Sequence, residues 1–330
     1  MTRYVLGVDA GGTKTLAAIA DEAGVLLGSG RGGPGNFDDV GIERARANIG
    51  EAVEAARRAA GLAPEPFAAA FLGVAGVVSE ADRAVVRAMA ADLALAPDGR
   101  VGVDHDCRIA LAGGLSGRPG IVLIIGTGSS CFGMNAAGEA WRSGGWGHLI
   151  SDEGSGYWLG VEALRAAVRA WDGRERPTVL LGRLLQHLGV AEPDDLLHRL
   201  YVVGMSRAEL AALAPLVIAA AREGDAVAGG LLARGAEELA DTVLAVARRL
   251  GLYGQACELA LAGGLAQVED FVVQPLRAAV QARLPGCRVM AAELPPALGA
   301  CLLALRLLEV APSPAISRAL REGAALSLET

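Results

Sequence analysis

In the stretch Gly7-Val8-Asp9-Ala10-Gly11-Gly12-Thr13-Lys14-Thr15, a short apolar strand runs into a glycine-rich turn, and this pattern is the strongest indication of the fold. Apolar residues resume at once over Thr15–Ala20, so a second strand follows where a dinucleotide-binding fingerprint would place a helix. The Walker spacing G-x-x-x-x-G-K-[ST] is absent as well. Glycines let backbone N–H groups approach phosphate oxygens closely, so this turn is predicted to bind phosphate. An ordinary hairpin turn is the structural alternative.

The side chains of this turn favour the phosphate interpretation. Lys14 is the only lysine among 330 residues, and an ammonium is a compact point charge for phosphate. Thr13 adds a hydroxyl donor. Asp9, at the end of the strand, is predicted to hold Mg²⁺ through water, because Mg²⁺ keeps part of its hydration shell.

The same strand, glycine turn, strand, tight turn, strand pattern opens both halves of the chain. This duplication predicts two similar α/β domains facing a cleft, an architecture that suits a nucleotide held between them. The expected domains are residues 1–115 and 116–330, with the final helix able to pack back on the first domain. The repeated strands are Arg3–Asp9, Thr15–Ala20 and Val25–Ser29, then Ile121–Ile125, Ser130–Met134 and Glu139–Arg142. Helices are predicted over Val40–Ala60, Glu80–Leu93, Gly156–Ala170, Thr178–Leu188, Arg207–Arg222 and Ala226–Leu250.

The second glycine turn, Gly126-Thr127-Gly128-Ser129-Ser130, carries hydroxyls and no carboxylate. By itself a plain turn explains it equally well. Together with the first turn, it is predicted to form the other half of a phosphate clamp.

Two carboxylates follow another predicted strand, in Val103-Asp104-His105-Asp106-Cys107. A hydroxyl that attacks phosphate must lose its proton, and a nearby carboxylate can accept it. Asp106 and Asp104 are both candidates for this base, and a helix cap is the structural alternative. His105 is interpreted as a neighbour and not as a metal ligand.

A further group of glycines, an aromatic ring and carboxylates suits a sugar. In Gly144-Gly145-Trp146-Gly147-His148 the indole of Trp146 offers an apolar face for C–H groups, and Asp152 or Glu153 can accept from hydroxyls. Ser151 or Ser155 could equally cap the next helix. Near the end of the chain, Gly263-Gly264 and the segment around Gly299 could let a flat adenine approach the backbone.

Composition narrows the function classes. The net charge is −7 and the pI is about 5.3, which argues against nucleic acid or an anionic membrane as partner. The five cysteines form no Cys-x-x-Cys pair, so neither a zinc site nor an iron–sulfur cluster is expected. The N-terminal stretch does not read as a signal peptide. A reducing cytoplasm is the simplest expectation.

These stretches, in this order, resemble the N-acetylglucosamine kinase branch of the BadF/BadG/BcrA/BcrD ATPase family, within the sugar kinase/heat-shock protein 70/actin superfamily. The string GGWGHLISDEGSGYWLG over residues 144–160 is the most specific part. The resemblance implies two actin/ribonuclease H-like domains with mixed sheets flanked by helices, with nucleotide and sugar in the interdomain cleft. It also implies ATP and Mg²⁺ as cofactors, a small-molecule sugar substrate and a homodimer.

Carried over residue by residue, the resemblance assigns roles to matching positions. Asp106 matches the catalytic base best and Asp104 is the runner-up. Asp9 matches the metal-holding residue. The phosphate-binding positions are Gly11, Gly12, Thr13, Lys14, Gly126, Thr127, Gly128 and Ser129. The sugar-binding positions are Asn36, Ser130, Trp146, Gly147, His148 and Asp152, and the adenosine-binding positions are Gly263, Gly264 and Gly299.

The implied activity is phosphorylation of an amino sugar, most simply N-acetylglucosamine at O6. Ser130 departs from the pattern, because the N-acetylglucosamine kinases carry an asparagine after GTGS. Glucosamine and N-acetylmuramate therefore stay open as substrates. Two functions of another class also stay open, an ATPase that activates a partner enzyme and a non-catalytic sugar or nucleotide sensor.

Overall fold

The computed structural model describes residues 2–327. Their contacts divide into two compact units: one contains the residues up to Val122 and those from Ala291 onward, and the other is Leu123–Met290. The strands are β1 (Tyr4–Ala10), β2 (Thr15–Asp21), β3 (Leu26–Gly32), β4 (Ala69–Val74), β5 (Val101–His105), β6 (Gly120–Ile125), β7 (Ser129–Met134), β8 (Ala140–Gly144), β9 (Cys257–Ala262) and β10 (Cys287–Ala291).

Helices cover the sheets. The α-helices are α1 (Phe37–Val40), α2 (Ile42–Ala60), α3 (Glu80–Asp92), α4 (Asp106–Gly114), α5 (Gly156–Trp171), α6 (Leu180–Leu188), α7 (Asp195–Leu197), α8 (Arg207–Ala211), α9 (Ala214–Arg222), α10 (Ala226–Arg249), α11 (Gln274–Arg283), α12 (Pro296–Leu307) and α13 (Pro314–Ser327). A π-helical stretch, His198–Gly204, follows α7.

The two sheets have the same strand order. The first sheet runs β3-β2-β1-β4-β5, and the second runs β8-β7-β6-β9-β10. In the first, β1 pairs antiparallel with β2 and parallel with β4, so the sheet is mixed. The duplication predicted from the two strand–turn–strand openings is therefore present as two sheets of equal order.

Successive side chains of β1 point to opposite faces of the first sheet. Leu6 and Val8 pack with Ile49 and other buried residues of α2. On the opposite face, Val5 packs with Leu302 of α12. The first unit is therefore a sheet with a helical layer on each side.

The close approach of α12 to β1 requires glycine. A Cβ at Gly7 would lie 2.2 Å from the carbonyl oxygen of Ala297 and 2.6 Å from the backbone nitrogen of Cys301. Gly7 therefore lets the backbone of α12 lie directly against the sheet. Asp9, two residues further on, emerges on the same face.

The grouping of residues differs from the predicted domain limits. The prediction assigned residues 116–330 to the second domain and allowed only the final helix to return to the first. In the structure, residues from Ala291 onward group with the first unit, and β6 begins just after residue 116. The physical reason is that α12, which is apolar on nearly every side, packs between β1 and α4.

Several helix limits also differ from the predicted ones. Gly41, with a φ of 80°, separates α1 from α2 within the predicted helix Val40–Ala60. Pro215, in the first turn of α9, separates α8 from α9 within the predicted helix Arg207–Arg222. The prediction contained neither α4 nor α12, and these two helices position the carboxylates described next.

Candidate active site

The first glycine turn connects β1 to β2 and is exposed at Gly12, Thr13 and Lys14. The N–H of Gly11 donates to the carbonyl of Lys14 at 3.0 Å, which closes the turn, and the carbonyl of Gly11 accepts from the N–H of Asn36 at 3.3 Å. Within residues 2–327, the backbone N–H groups of Gly12, Thr13 and Lys14 donate to no other protein group. Such donors suit an anion.

Asn36 lies beside this turn as the N-cap of α1. Its Oδ1 accepts from the N–H of Asp38 at 3.2 Å, and its Nδ2 donates to Oδ2 of Asp39 at 2.8 Å. A Cβ at Gly35 would lie 2.6 Å from the Cβ of Ala10, so the segment packs directly on the end of β1. Capping explains an asparagine at this position, and its predicted sugar contact stays a prediction.

The carboxyl groups of Asp9 and Asp106 lie close enough together to interact electrostatically. The pKa of Asp9 is raised from 3.8 to about 7, mainly because the carboxyl is buried and also because the Asp106 carboxylate is near, while the Lys14 ammonium acts in the opposite direction. Asp106 is the first residue of α4, and β5, which pairs with β4, leads into it. Carboxylate oxygens are the ligands that Mg²⁺ prefers, so the chemistry of this pair fits that ion.

The raised pKa of Asp9 predicts a pH dependence of stability in metal-free protein. Between about pH 4 and pH 7 the unfolded carboxyl is ionised while the folded one keeps its proton. This group therefore destabilises the fold progressively as the pH rises through that window, and the penalty stays constant above about pH 7. Asp9→Asn, which is always neutral, is expected to melt above wild type at pH 8 and close to it at pH 4.5. A melting-temperature difference that does not change with pH, measured in chelator, contradicts this prediction.

Asp104 and Asp106 have different surroundings. Oδ1 of Asp104 accepts from Nη2 of Arg83 at 3.0 Å, so this carboxylate is part of an ion pair. Asp106 instead lies in the first turn of α4, where it interacts electrostatically with Asp9. His105 is the N-cap of α4, and its Nδ1 accepts from the N–H of Arg108 at 3.2 Å. The carboxylate of Asp104 is engaged by Arg83 whereas that of Asp106 lies near Asp9, so this geometry favours Asp106 over Asp104 as base.

The second glycine turn connects β6 to β7 and is tied to the start of α5. The N–H of Gly126 donates to the carbonyl of Gly128 at 2.9 Å. The first two N–H groups of α5, those of Gly156 and Tyr157, donate to the carbonyls of Gly126 and Thr127 at 2.9 and 3.0 Å. Within the described chain, the N–H groups of Thr127 and Gly128 donate to no other protein group. The turn itself therefore offers donors to an anion.

Asp152 links this turn to a residue that the sequence did not reveal. It is buried and has a φ of 71°, which is uncommon for a residue other than glycine. Its Oδ1 accepts from the N–H of Ser129 at 3.0 Å, and its Oδ2 accepts from Nη2 of Arg207 at 2.7 Å. A carboxylate has about four acceptor sites, so these bonds leave room for a sugar hydroxyl. The sugar role of Asp152 stays a prediction.

The glycines after β8 shape the segment next to Ser130. Gly144, Gly145 and Gly147 have φ values of 71°, 69° and 86°, where a side chain would be strained. A Cβ at Gly145 would lie 2.6 Å from Oγ of Ser130. The structure therefore brings Ser130 and the predicted sugar segment together.

The rings of this segment reach solvent. Trp146 is 66% exposed, and the guanidinium of Arg142 lies 5.1 Å from its ring centroid. His148 is exposed and meets Tyr157 edge to face, with ring centroids 5.1 Å apart. An exposed indole beside glycines suits stacking on the C–H face of a sugar.

The three predicted adenosine glycines lie in different surroundings. A Cβ at Gly263 would lie 2.4 Å from the carbonyl oxygen of Ile125, so the end of β9 touches the end of β6, beside the second turn. Gly264 is exposed with nothing within 4 Å of its Cβ position. Gly299 is buried in α12 against α4, in the first unit. That packing explains the glycine without adenosine, and its adenosine role stays a prediction.

The predicted residues other than Gly264 and Gly299 thus lie in two groups, one in each unit. The first unit brings together Asp9, the turn Gly11–Lys14, Asn36 and Asp106. The second brings together the turn Gly126–Ser129, Ser130, the segment 144–152 and Gly263.

Among residues 2–327, none of the helices combines the length and the apolar character needed to cross a bilayer.

Comparison with known proteins shows one family over most of the chain. The model of the BadF/BadG/BcrA/BcrD ATPase family matches residues 6–304. An N-acetylmuramic acid/N-acetylglucosamine kinase of Clostridium acetobutylicum is 33% identical over 302 residues, which is 92% of this chain and 98% of that protein. An N-acetyl-D-glucosamine kinase of Dictyostelium discoideum is 30% identical, over 91% of this chain and 97% of that protein.

A solved structure agrees with these relatives. The crystal structure of a protein of Chromobacterium violaceum, provisionally described as an N-acetylglucosamine kinase, superposes with a TM-score of 0.73 at 31% identity. The match covers 93% of this chain and 99% of that one. The predicted α/β fold, with two actin-like mixed sheets flanked by helices, is confirmed.

Proposed function

This chain belongs to the BadF/BadG/BcrA/BcrD ATPase family, and from that premise we propose that it is an ATP-dependent amino-sugar kinase. Its substrate is proposed to be N-acetylglucosamine, phosphorylated at O6. The names of its relatives support the substrate class, because both contain N-acetylglucosamine. Glucosamine and N-acetylmuramate are the alternative substrates.

The observation that carries the proposal is the carboxyl pair Asp9 and Asp106. Nucleotide hydrolysis alone needs no carboxylate dedicated to a sugar hydroxyl, whereas phosphoryl transfer to a sugar benefits from one. Asp106 lies near Asp9, and among residues 2–327 it has no ion pair of the kind that Arg83 forms with Asp104. This arrangement supports one carboxylate for the metal and another for the proton.

In the proposed reaction, Asp106 accepts the proton of the sugar 6-hydroxyl as its oxygen attacks the γ-phosphorus of ATP. The new O6–P bond forms while the bond to the bridging oxygen of ADP breaks. Bound through water to Asp9, Mg²⁺ would supply positive charge to the triphosphate. Lys14 and the free N–H groups of both glycine turns would stabilise the phosphoryl oxygens, because preorganised donors cost no reorganisation during the reaction.

Sugar binding is proposed for Asn36, Ser130, Trp146, Gly147, His148 and Asp152. Ser130 is shorter than the asparagine of the related kinases, so its hydroxyl would contact the 2-substituent less directly. Gly263, Gly264 and Gly299 are the proposed adenosine positions. The cytoplasm is the proposed location.

The test is ADP release by purified protein with Mg·ATP against a panel of sugars. The panel contains N-acetylglucosamine, glucosamine, N-acetylmuramate, glucose and no sugar. A large increase with one amino sugar is expected. A high rate without sugar would instead favour an ATPase, and silence with every sugar would favour a sensor.

A further inference from the structure

The second glycine turn contains no positive charge of its own. Residues 126–130 read Gly-Thr-Gly-Ser-Ser, whereas the first turn contains Lys14. A triphosphate carries several negative charges, and backbone N–H groups alone supply only partial positive charge to them. A cation close to the second turn would therefore change what that turn can bind.

Arg207, at the start of α8, supplies such a cation. Its Nη2 donates to Oδ2 of Asp152 at 2.7 Å. A Cβ placed on Gly128 would lie 2.1 Å from the same Nη2 and 2.6 Å from Oδ1 of Asp152. The guanidinium therefore lies directly against the backbone of the second turn, and a side chain at position 128 would displace it.

The ion pair holds the guanidinium in place. Asp152 has a side chain only 3% exposed, and a buried carboxylate is costly without a partner. The other oxygen of Asp152 accepts from the N–H of Ser129, so one carboxylate fixes both the turn and the arginine. Little rotational freedom is then left for the guanidinium to lose when a ligand binds.

Most of the donors of Arg207 remain available. A guanidinium has five N–H donors, and within the described residues the hydrogen bond to Asp152 is the one that Arg207 makes. The side chain is 42% exposed, in contrast to the carboxylate that it pairs with. A residue needed only as the counter-ion of Asp152 could be buried with it, whereas this one presents donors to solvent beside the turn.

We propose that Arg207 binds phosphate oxygens of ATP at the second glycine turn. The proposal rests on the proposed function, which assigns this turn to the triphosphate. Arg207 would supply the positive charge at the second glycine turn, as Lys14 does at the first. A guanidinium suits this task because its planar fork can hold Asp152 and a phosphate oxygen at the same time.

The test compares nucleotide binding by Arg207→Gln and Arg207→Lys using calorimetry. The ligands are Mg²⁺ with the non-hydrolysable analogue adenylyl imidodiphosphate, and AMP. Arg207→Gln is expected to weaken the triphosphate analogue about 10- to 100-fold, as for the loss of a hydrogen bond to a charged group. AMP, which lacks the β- and γ-phosphates, is expected to change little. Arg207→Lys keeps the charge and is expected to lose less.

Arg222→Gln is the matched control. Arg222 also pairs with one aspartate, Asp270 at 2.7 and 2.9 Å, but this pair is exposed and joins α9 to the segment before α11. The control changes the net charge equally in the same unit and is expected to bind both nucleotides as wild type does. Melting temperatures of all variants show whether each is folded.

Three results would overturn the proposal. The affinity for the triphosphate analogue could stay unchanged in a folded Arg207→Gln. The affinities for the analogue and AMP could fall equally, which would make Arg207 a support for the turn. The KM for N-acetylmuramate alone could rise, which would mean that Arg207 binds the carboxylate of an acidic sugar. Binding needs no turnover, so a selective loss for the analogue would stand even if the sugar panel were silent.

Discussion

Asp106→Asn is expected to lower kcat about 10²- to 10⁴-fold with the best amino sugar, because the sugar hydroxyl would lose its proton acceptor. Asparagine has the shape of aspartate and can still accept a hydrogen bond, so the affinity for the sugar should change little. Steady-state kinetics give kcat, and calorimetry with the sugar gives the affinity. The position of Asp106 at the first turn of α4 supports this role, since the N-cap His105 and the helix fix its backbone.

Asp104→Asn is the matched control for this prediction. It changes the same side chain two residues earlier, but the carboxylate that it removes is paired with Arg83. We expect a smaller loss of kcat, together with some loss of stability from the lost ion pair with Arg83. Near-normal turnover by Asp106→Asn, or a larger loss from Asp104→Asn, would reverse the assignment of the base.

Gly299→Ala is expected to destabilise the protein by about 3 kcal/mol or more, at the upper end of what overpacking costs. The new Cβ would lie 2.0 Å from the carbonyl oxygen of Ile109 and 2.4 Å from the backbone nitrogen of Gly113. Both atoms belong to the backbone of α4, so they cannot move aside as a flexible side chain would. Relief requires α4 to shift away from α12, and α4 carries Asp106 at its first turn.

Gly230→Ala is the control for this prediction. Gly230 is also inside a helix, α10, but nothing lies within 4 Å of its Cβ position. Because alanine favours helices over glycine, this change is expected to stabilise the protein by up to about 1 kcal/mol. Urea unfolding followed by circular dichroism compares the two. A Gly299→Ala protein as stable as wild type but with a raised KM for ATP would support an adenosine contact and contradict the packing role.

Local sequence was sufficient to predict the parts of the fold that repeat. The two strand–glycine turn–strand openings reveal themselves because alternation and turn residues act over only a few positions. The turns at Gly11–Lys14 and Gly126–Ser129 both lie where these patterns place them. Asp106 and Asp104 were likewise both identified as candidates, and only the family resemblance ranked Asp106 first. The ion pair with Arg83 is what distinguishes the two.

Contacts between distant residues were not predictable in this way. The helix α12 is apolar on nearly every side, so its sequence has no periodicity to show which elements cover it. Its return to β1 and α4 depends on Gly7 and Gly299, which are 292 positions apart and look like ordinary glycines in the sequence. Arg207 contacts Asp152 across 55 positions, and nothing in its own neighbourhood marks it.

Kinase activity is tested by following the phosphoryl group itself by ³¹P nuclear magnetic resonance, with purified protein, Mg·ATP and N-acetylglucosamine. The proposed activity predicts a sugar phosphomonoester formed in equal amount to ADP, with its phosphorus coupled to the two protons on C6. Inorganic phosphate formed in equal amount to ADP, whether or not sugar is present, would contradict it.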